Sequence, residues 1–262
     1  GAVVVLLPLF FMLSTSLKTA GKALSYPIEW IPDPVVWRNY IDCLTLPGLP
    51  FLTFIKNSLH VCFLTVVGDV LTASMAGFAF ARLRFPFRDR LFLLVLSTMM
   101  LPGAVTMVPT FLLFKTLGWV DTLKPLWVGH WFGGTAFNIF LFRQFMRTLP
   151  VELDEAARVD GASNWRIWLQ LCMPLSQPAI ATVAIFSFIW GWTDFMHPLI
   201  YLDSMDKRTV ALGLHAFLGT YASTWNYLMA ATTITTLPIV IMFFSGQRYF
   251  VRGISMTGIA GR

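Results

Sequence analysis

The sequence predicts an all-α, polytopic membrane bundle of six transmembrane helices with a charged helical loop on its cytoplasmic face. Three observations carry that prediction. Hydrophobic residues make up 56% of the 262 residues and charged residues only 12%, with a mean hydropathy of +0.69; a soluble domain carries about a quarter charged residues. The apolar residues fall in long runs without period-2 alternation, so helices rather than barrel strands satisfy their backbone in lipid. One short segment between two runs, Leu149 to Gly161, gathers Glu152, Asp154, Glu155, Asp160 and Arg158.

Spans are expected at 1–17, 57–81, 91–117, 126–145, 179–201 and 227–250, forming one transmembrane domain over 1–262. All but the first approach or exceed the ~20 residues that cross the hydrocarbon core. The first run opens at Gly1 with no initiator Met, no charged flank and no small-residue cleavage site after it. It is therefore expected to be a first span short of its opening turns rather than a signal peptide. In the second span Ala73, Gly77 and Ala81 repeat small residues every four positions, a face for close helix contact. The third contains Pro102-Gly103 and Pro109, so a kink or a local unwinding is expected there.

Orientation follows from arginine. The loop 82–90 holds four, Arg82, Arg84, Arg88 and Arg90, while the loop 118–125 holds only Lys124 as a base. The positive-inside rule then places 82–90, the loop 146–178 and the tail 251–262 in the cytoplasm, and the even span count puts the N-terminus there too. The segments 18–56, 118–125 and 202–226 face outward. The first of these is rich in Pro and Trp (Pro27, Trp30, Pro32, Pro34, Trp37) and reads as an ordered loop at the membrane interface.

Within 146–178, Pro150 suits a first helical position, the acidic residues favour a helix N-terminus, and Gly161 is a natural stop. Ala156 and Ala157 leave room for close approach by another protein. The segment reads as a short helix hung beneath the bundle for a soluble partner to grip.

Several function classes are excluded. The net charge of +6 sits at span ends, which argues for topology and against nucleic acid. There is no Gly-x4-Gly-Lys-Ser/Thr loop for phosphates. His60, His130, His197 and His215 have no ligand spacing, and Cys43, Cys62 and Cys172 lie apart, so neither a metal site nor a disulfide is expected.

Two carboxylates fall inside spans, Asp69 and Asp194. Intramembrane charge is costly, so each is expected to face the bundle or a water-filled cavity. On a continuous helix Ser187, Trp190, Asp194 and His197 would share one stripe. A ring, a carboxylate and an imidazole together suit a sugar, by stacking and by hydrogen bonds to hydroxyls. The alternative is structural: Asp194 bonds backbone freed by Pro198, or a neighbouring helix. For Asp69, with only Thr65 and Thr72 as polar neighbours on its helix, the structural reading leads.

The sequence Glu155-Ala156-Ala157, three residues, Gly161, nine residues, Leu171-Cys172-Met173-Pro174 resembles the cytoplasmic signature of permease subunits of binding-protein-dependent ATP-binding-cassette importers. Leu171 and Met173 replace the Ile and Leu of that pattern. Ala79-Phe80-Ala81-Arg82-Leu83-Arg84-Phe85-Pro86 and Trp192-Thr193-Asp194-Phe195-Met196-His197-Pro198-Leu199 are similar to segments of its carbohydrate-uptake branch. Gln247-Arg248-Tyr249-Phe250-Val251-Arg252-Gly253 through Gly261 is similar to the tail of the six-span, maltose-type G subunits, with Ala260 where Lys is common.

The resemblance implies a prokaryotic inner-membrane complex. A second permease subunit shares the pathway, two ATPase subunits sit beneath, and an extracytoplasmic solute-binding protein delivers a sugar. It implies ATPase coupling through Glu155, Ala156, Ala157, Asp160, Gly161 and Pro174, with Ser163 capping the helix that follows to Met173. It also implies ATPase contact by the tail, through Gln247, Arg252, Gly253 and Gly258, and contact of 202–226 with the binding protein. No cofactor is expected on this chain, and ATP and Mg belong to the partner ATPase. Trp190, Asp194, His197 and Asp69 are the solute-path candidates. The competing readings are an ion-gradient-driven secondary transporter, which calls for paired repeats and more intramembrane ionisable groups, and a membrane scaffold that transports nothing.

Overall fold

Helices account for every regular element of the computed structural model, whose backbone is described for residues 2–220 and 224–257 and whose side chains are described for 4–219 and 224–246. Along the chain, α1 is Ala2–Ser16 and α2 is Phe51–Arg82. Next come α3, Arg88–Ser97, α4, Gly103–Thr116, and α5, Ala136–Thr148. The charged helix is α6, Glu152–Val159, and α7 runs over Asn164–Leu175. Then follow α8, Gln177–Thr193, α9, Met196–Tyr201, α10, Val210–Thr220, and α11, Trp225–Thr257.

Two of these helices, Phe51–Arg82 and Trp225–Gly246, are each long and apolar enough to cross a membrane, and up to four spans result if each bent pair counts as one. The six spans expected from composition are thus not all continuous, and the break foreseen at Pro102-Gly103 is one of several. The second span starts at Phe51 rather than 57, because Thr53 and Phe54 donate to the Pro50 carbonyl and open the helix early. Asn57, near that end, gives its amide to the carbonyls of Asp206 and Arg208 at 2.8 and 3.0 Å.

The third span, expected over 91–117, is two pieces meeting at 98°. Proline disfavours α geometry at the residue before it; Leu101 and Pro102 are both extended, so the helix ends before them and restarts at Gly103. Pro109 stays inside α4. The fourth span, expected over 126–145, is interrupted by Gly133 and Gly134, both at positive φ (+106° and +62°), and α5 starts afresh with Thr135 accepting from the Asn138 N–H. The fifth, expected over 179–201, stops at Thr193 and resumes at Met196. The last, expected over 227–250, runs longer at both ends.

The chain forms two compact units, Gly1–His60 with Trp192–Met242, and Val61–Gly191 with Phe243–Arg262. In the first, Phe51, Phe54 and Phe217 pack edge to face, and Gly213 lies against the Phe54 ring. Buried Asn39 donates to the carbonyls of Ser16 and Lys18, both at 2.8 Å, and accepts from Asn226. The indole of buried Trp192 donates to the Thr235 carbonyl at 2.9 Å.

In the second unit, the core joins Ala73 and Phe78 of α2, Phe92 of α3, Ile139, Phe142 and Met146 of α5, Ile167, Trp168 and Cys172 of α7, and Val183 of α8. The small-residue face of α2 is used as its spacing predicts. A Cβ on Gly77 would stand 2.6 Å from the Phe142 Cβ and 3.0 Å from the Arg143 nitrogen. Such an approach admits only hydrogen, which is how small residues bring helix backbones together.

Candidate functional site

The charged loop 146–178 begins where α5 ends. Leu149 is extended, α6 takes Glu152 rather than Pro150 as its first helical residue with Val151 at the cap, and Asp154 and Glu155 both donate backbone N–H groups to the Val151 carbonyl. Glu152, Asp154 and Glu155 fill the first turn, where the helix dipole favours negative charge. At the other end the Ala162 N–H reaches the Ala157 carbonyl at 2.8 Å and the Gly161 N–H reaches the Arg158 carbonyl at 3.0 Å, a Schellman closure. Gly161 sits at φ +79° with no atom within 4 Å of where a Cβ would stand. Backbone shape is therefore what requires glycine here within this chain, as a helix stop does. The Ser163 hydroxyl then accepts from the Arg166 N–H at 3.3 Å and starts α7.

Most of α6 is exposed. Glu155, Ala156, Asp160 and Gly161 are open to contact, as is Pro174 at the end of α7. Beside the carboxylates stand bare apolar side chains, Val151, Leu153, Val159 (88% exposed) and Trp165. Only Asp154 is buried and Ala157 half-buried. Their i, i+3 spacing puts them on one face of the helix.

Asp154 meets Arg82, the last residue of α2. The side chains are 3% and 4% exposed and approach to 3.2 Å, Nε to Oδ2. The Nε–H is not aligned with that oxygen, so the contact is charge to charge rather than a directed hydrogen bond. The same guanidinium donates from Nη2 to the Leu149 carbonyl at 2.8 Å. Neither residue was singled out by sequence, where Arg82 counted toward topology and Asp154 toward an acidic cluster. The available signal was the spacing of Asp154 to small Ala157, which marks the buried face.

A second polar centre lies in the same unit. Asp69, 1% exposed, accepts from the Ser187 hydroxyl at 2.5 Å and pairs with His130 Nδ1 at 2.9 Å. Gly134 closes over the carboxylate, in a left-handed conformation that leaves no room for a side chain. Thr72 donates to the carbonyls of Gly68 and His130 and accepts from the Gly133 N–H at 3.2 Å. Asp69 therefore ties α2, the broken loop before α5, and α8. Sequence reading gave it only Thr65 and Thr72 as company, because His130 and Ser187 reach it only through tertiary folding.

The stripe drawn from Ser187 to His197 is not continuous, because α8 ends at Thr193 and leaves Asp194 outside any helix. Ser187 faces Asp69 instead, and Trp190 is 76% exposed. Asp194 accepts from the His197 N–H at 3.3 Å and pairs with His197 Nδ1 at 3.0 Å, so it organises the first turn of α9. The His197 ring stacks on Tyr201. The tail positions Gln247, Arg252, Gly253 and Gly258 lie outside the residues described at side-chain level.

Residues 71–256 match the family described as binding-protein-dependent transport system inner membrane component. The chain belongs to this family. The permease is 32% identical over 264 residues to the sn-glycerol-3-phosphate transport system permease protein UgpE of Brucella abortus, covering 98% of this chain and 93% of that one. It is 34% identical over 262 residues to the arabinooligosaccharides transport system permease protein AraQ of Halalkalibacterium halodurans, covering 99% and 93%. Its fold matches a chain of a bacterial ABC transporter involved in import of the acidic polysaccharide alginate, with a TM-score of 0.83 at 24% identity over 95% of this chain and 92% of that one. The permease is accordingly a transport component of the inner membrane.

Proposed function

We propose that the permease lines the pathway of an ATP-driven importer of carbohydrates or small phosphorylated polyols. The observation that carries this reading is α6: a helix closed at its C-terminal end by a Schellman turn, presenting Glu155, Ala156, Val159 and Gly161 outward for another protein to grip. The solute class rests on relatives named for arabinooligosaccharide and sn-glycerol-3-phosphate transport. In this reading a separate ATPase subunit docks on α6 and Pro174, binds ATP and Mg itself, and contacts the tail through Gln247, Arg252, Gly253 and Gly258. A second permease subunit, a second ATPase and an extracytoplasmic solute-binding protein complete the complex, with the loop 146–178 and both termini on the cytoplasmic side.

Closure of the ATPase pair moves the docked helices only because docking is stronger in one state of the bundle than in the other. Of the solute-path candidates, Trp190 and the Asp194–His197 pair keep exposed surface for a solute, while Asp69 has its oxygens engaged by Ser187 and His130.

Vesicle uptake tests the reading. The permease reconstituted with its partner subunits and binding protein is offered sn-glycerol 3-phosphate, an arabinotriose and maltose. Uptake of one of them is expected to require ATP and to persist when a protonophore collapses ion gradients. Uptake by the permease without the ATPase, or uptake abolished by the protonophore with ATP present, would count against it.

A further inference from the structure

We propose that the Arg82–Asp154 ion pair is the strut that transmits movement of α6 to the end of α2, making both residues positioning residues for coupling; this rests on the importer reading above. Residue by residue, α6 has little to hold it. Glu152, Leu153, Glu155, Ala156, Arg158 and Val159 are exposed, and among the described residues the ion pair is the one polar side-chain tie from this helix to the rest of its unit. Besides the chain ends, only the half-buried Ala157 methyl helps it.

The tie is placed where a strut belongs. One guanidinium reaches the Leu149 carbonyl on the chain entering α6 and the Asp154 carboxylate within it. Entry and handle thus converge on the final residue of a 32-residue helix, which is packed at Gly77 against α5 and tied at Asp69 to α8. Arginine suits this position because it stays charged when buried, so it holds the Leu149 carbonyl by a directed bond and the Asp154 carboxylate by charge. In the low-dielectric interior a displaced carboxylate leaves an uncompensated charge behind. Pulling α6 therefore draws Arg82 and the end of α2 with it.

The test uses the complete complex in vesicles, with sn-glycerol 3-phosphate or whichever solute of the panel above is taken up. Three quantities are read: ATPase co-purification, ATP hydrolysis, and solute imported per ATP. Asp154→Asn and Arg82→Gln are expected to keep the ATPase docked and hydrolysing while solute per ATP falls roughly fivefold or more, the lower edge of ordinary coupling energies. The exchanged pair, Arg82→Asp with Asp154→Arg, is expected to recover at least half of that ratio. Wild-type solute per ATP in both single variants would overturn the strut, as would a folded exchanged pair that recovers none. Loss of docking and uptake in equal proportion would overturn it too, since that is what a merely structural pair predicts. A wild-type complex in which no ATPase docks would instead sink the importer reading.

Discussion

Gly161 and Cys43 show how a single residue's environment sets what it tolerates. At Gly161 the constraint is backbone alone: φ is +79° and a Cβ would meet nothing. An L-residue in that region costs about 1–2 kcal/mol, Asn least among them and a β-branched residue most. Gly161→Asn is thus expected to couple hydrolysis to uptake better than Gly161→Val, measured as solute per ATP; equal loss would point to a partner pressing on the glycine. Cys43, in the segment 18–56, is fully buried, and burial followed by the charge of Asp42 pushes its thiol up to about 12. A raised thiol pKa keeps the unreactive protonated form across the working range. Folded protein is expected to resist maleimide at Cys43 from pH 6 to 9 and to label after denaturation, read by mass spectrometry; labelling of the folded protein would contradict the burial.

Helix contacts depend on which faces carry small residues. The α2–α5 contact at Gly77 has no slack, with the Phe142 Cβ 2.6 Å from a would-be Cβ. Overpacking of this kind costs typically ~1–3 kcal/mol. Gly77→Leu is expected to lower the thermal midpoint of the purified permease by several degrees, while Gly103→Ala, where a Cβ meets nothing, is not. Equal midpoints for the two would deny the close approach. The spacing of Ala73, Gly77 and Ala81 made this contact legible in advance. The breaks at Pro102, Gly133-Gly134 and Asp194 were legible only in part, since apolar composition continues straight through them and hydropathy does not register backbone geometry.

For the whole permease, the division of labour lies between an exposed handle and two buried polar centres. The Arg82–Asp154 pair and the Asp69–Ser187–His130 group both belong to the unit that holds α6. Buried charges retained in a greasy chain call for partners, and here every one of these finds them in another element. If the importer reading holds, docking energy enters at α6, and the buried ties decide how much of the bundle moves with it. The competing scaffold reading predicts docking without movement, so the ratio of solute to ATP in vesicles separates the two.

Composition determined that this chain lives in a membrane, because an average of apolar residues needs no partner to be read. Spacing determined the short charged helix and its stop at Gly161, because capping and left-handed turns are local events within a few residues. Tertiary structure alone decided that Asp154 faces inward to Arg82, that Ser187 serves Asp69 rather than Asp194, and that the stripe ending at His197 is cut at Thr193. Those pairings join residues 118 and 72 positions apart or hinge on where a helix breaks. A periodicity read within one helix cannot see across to the next.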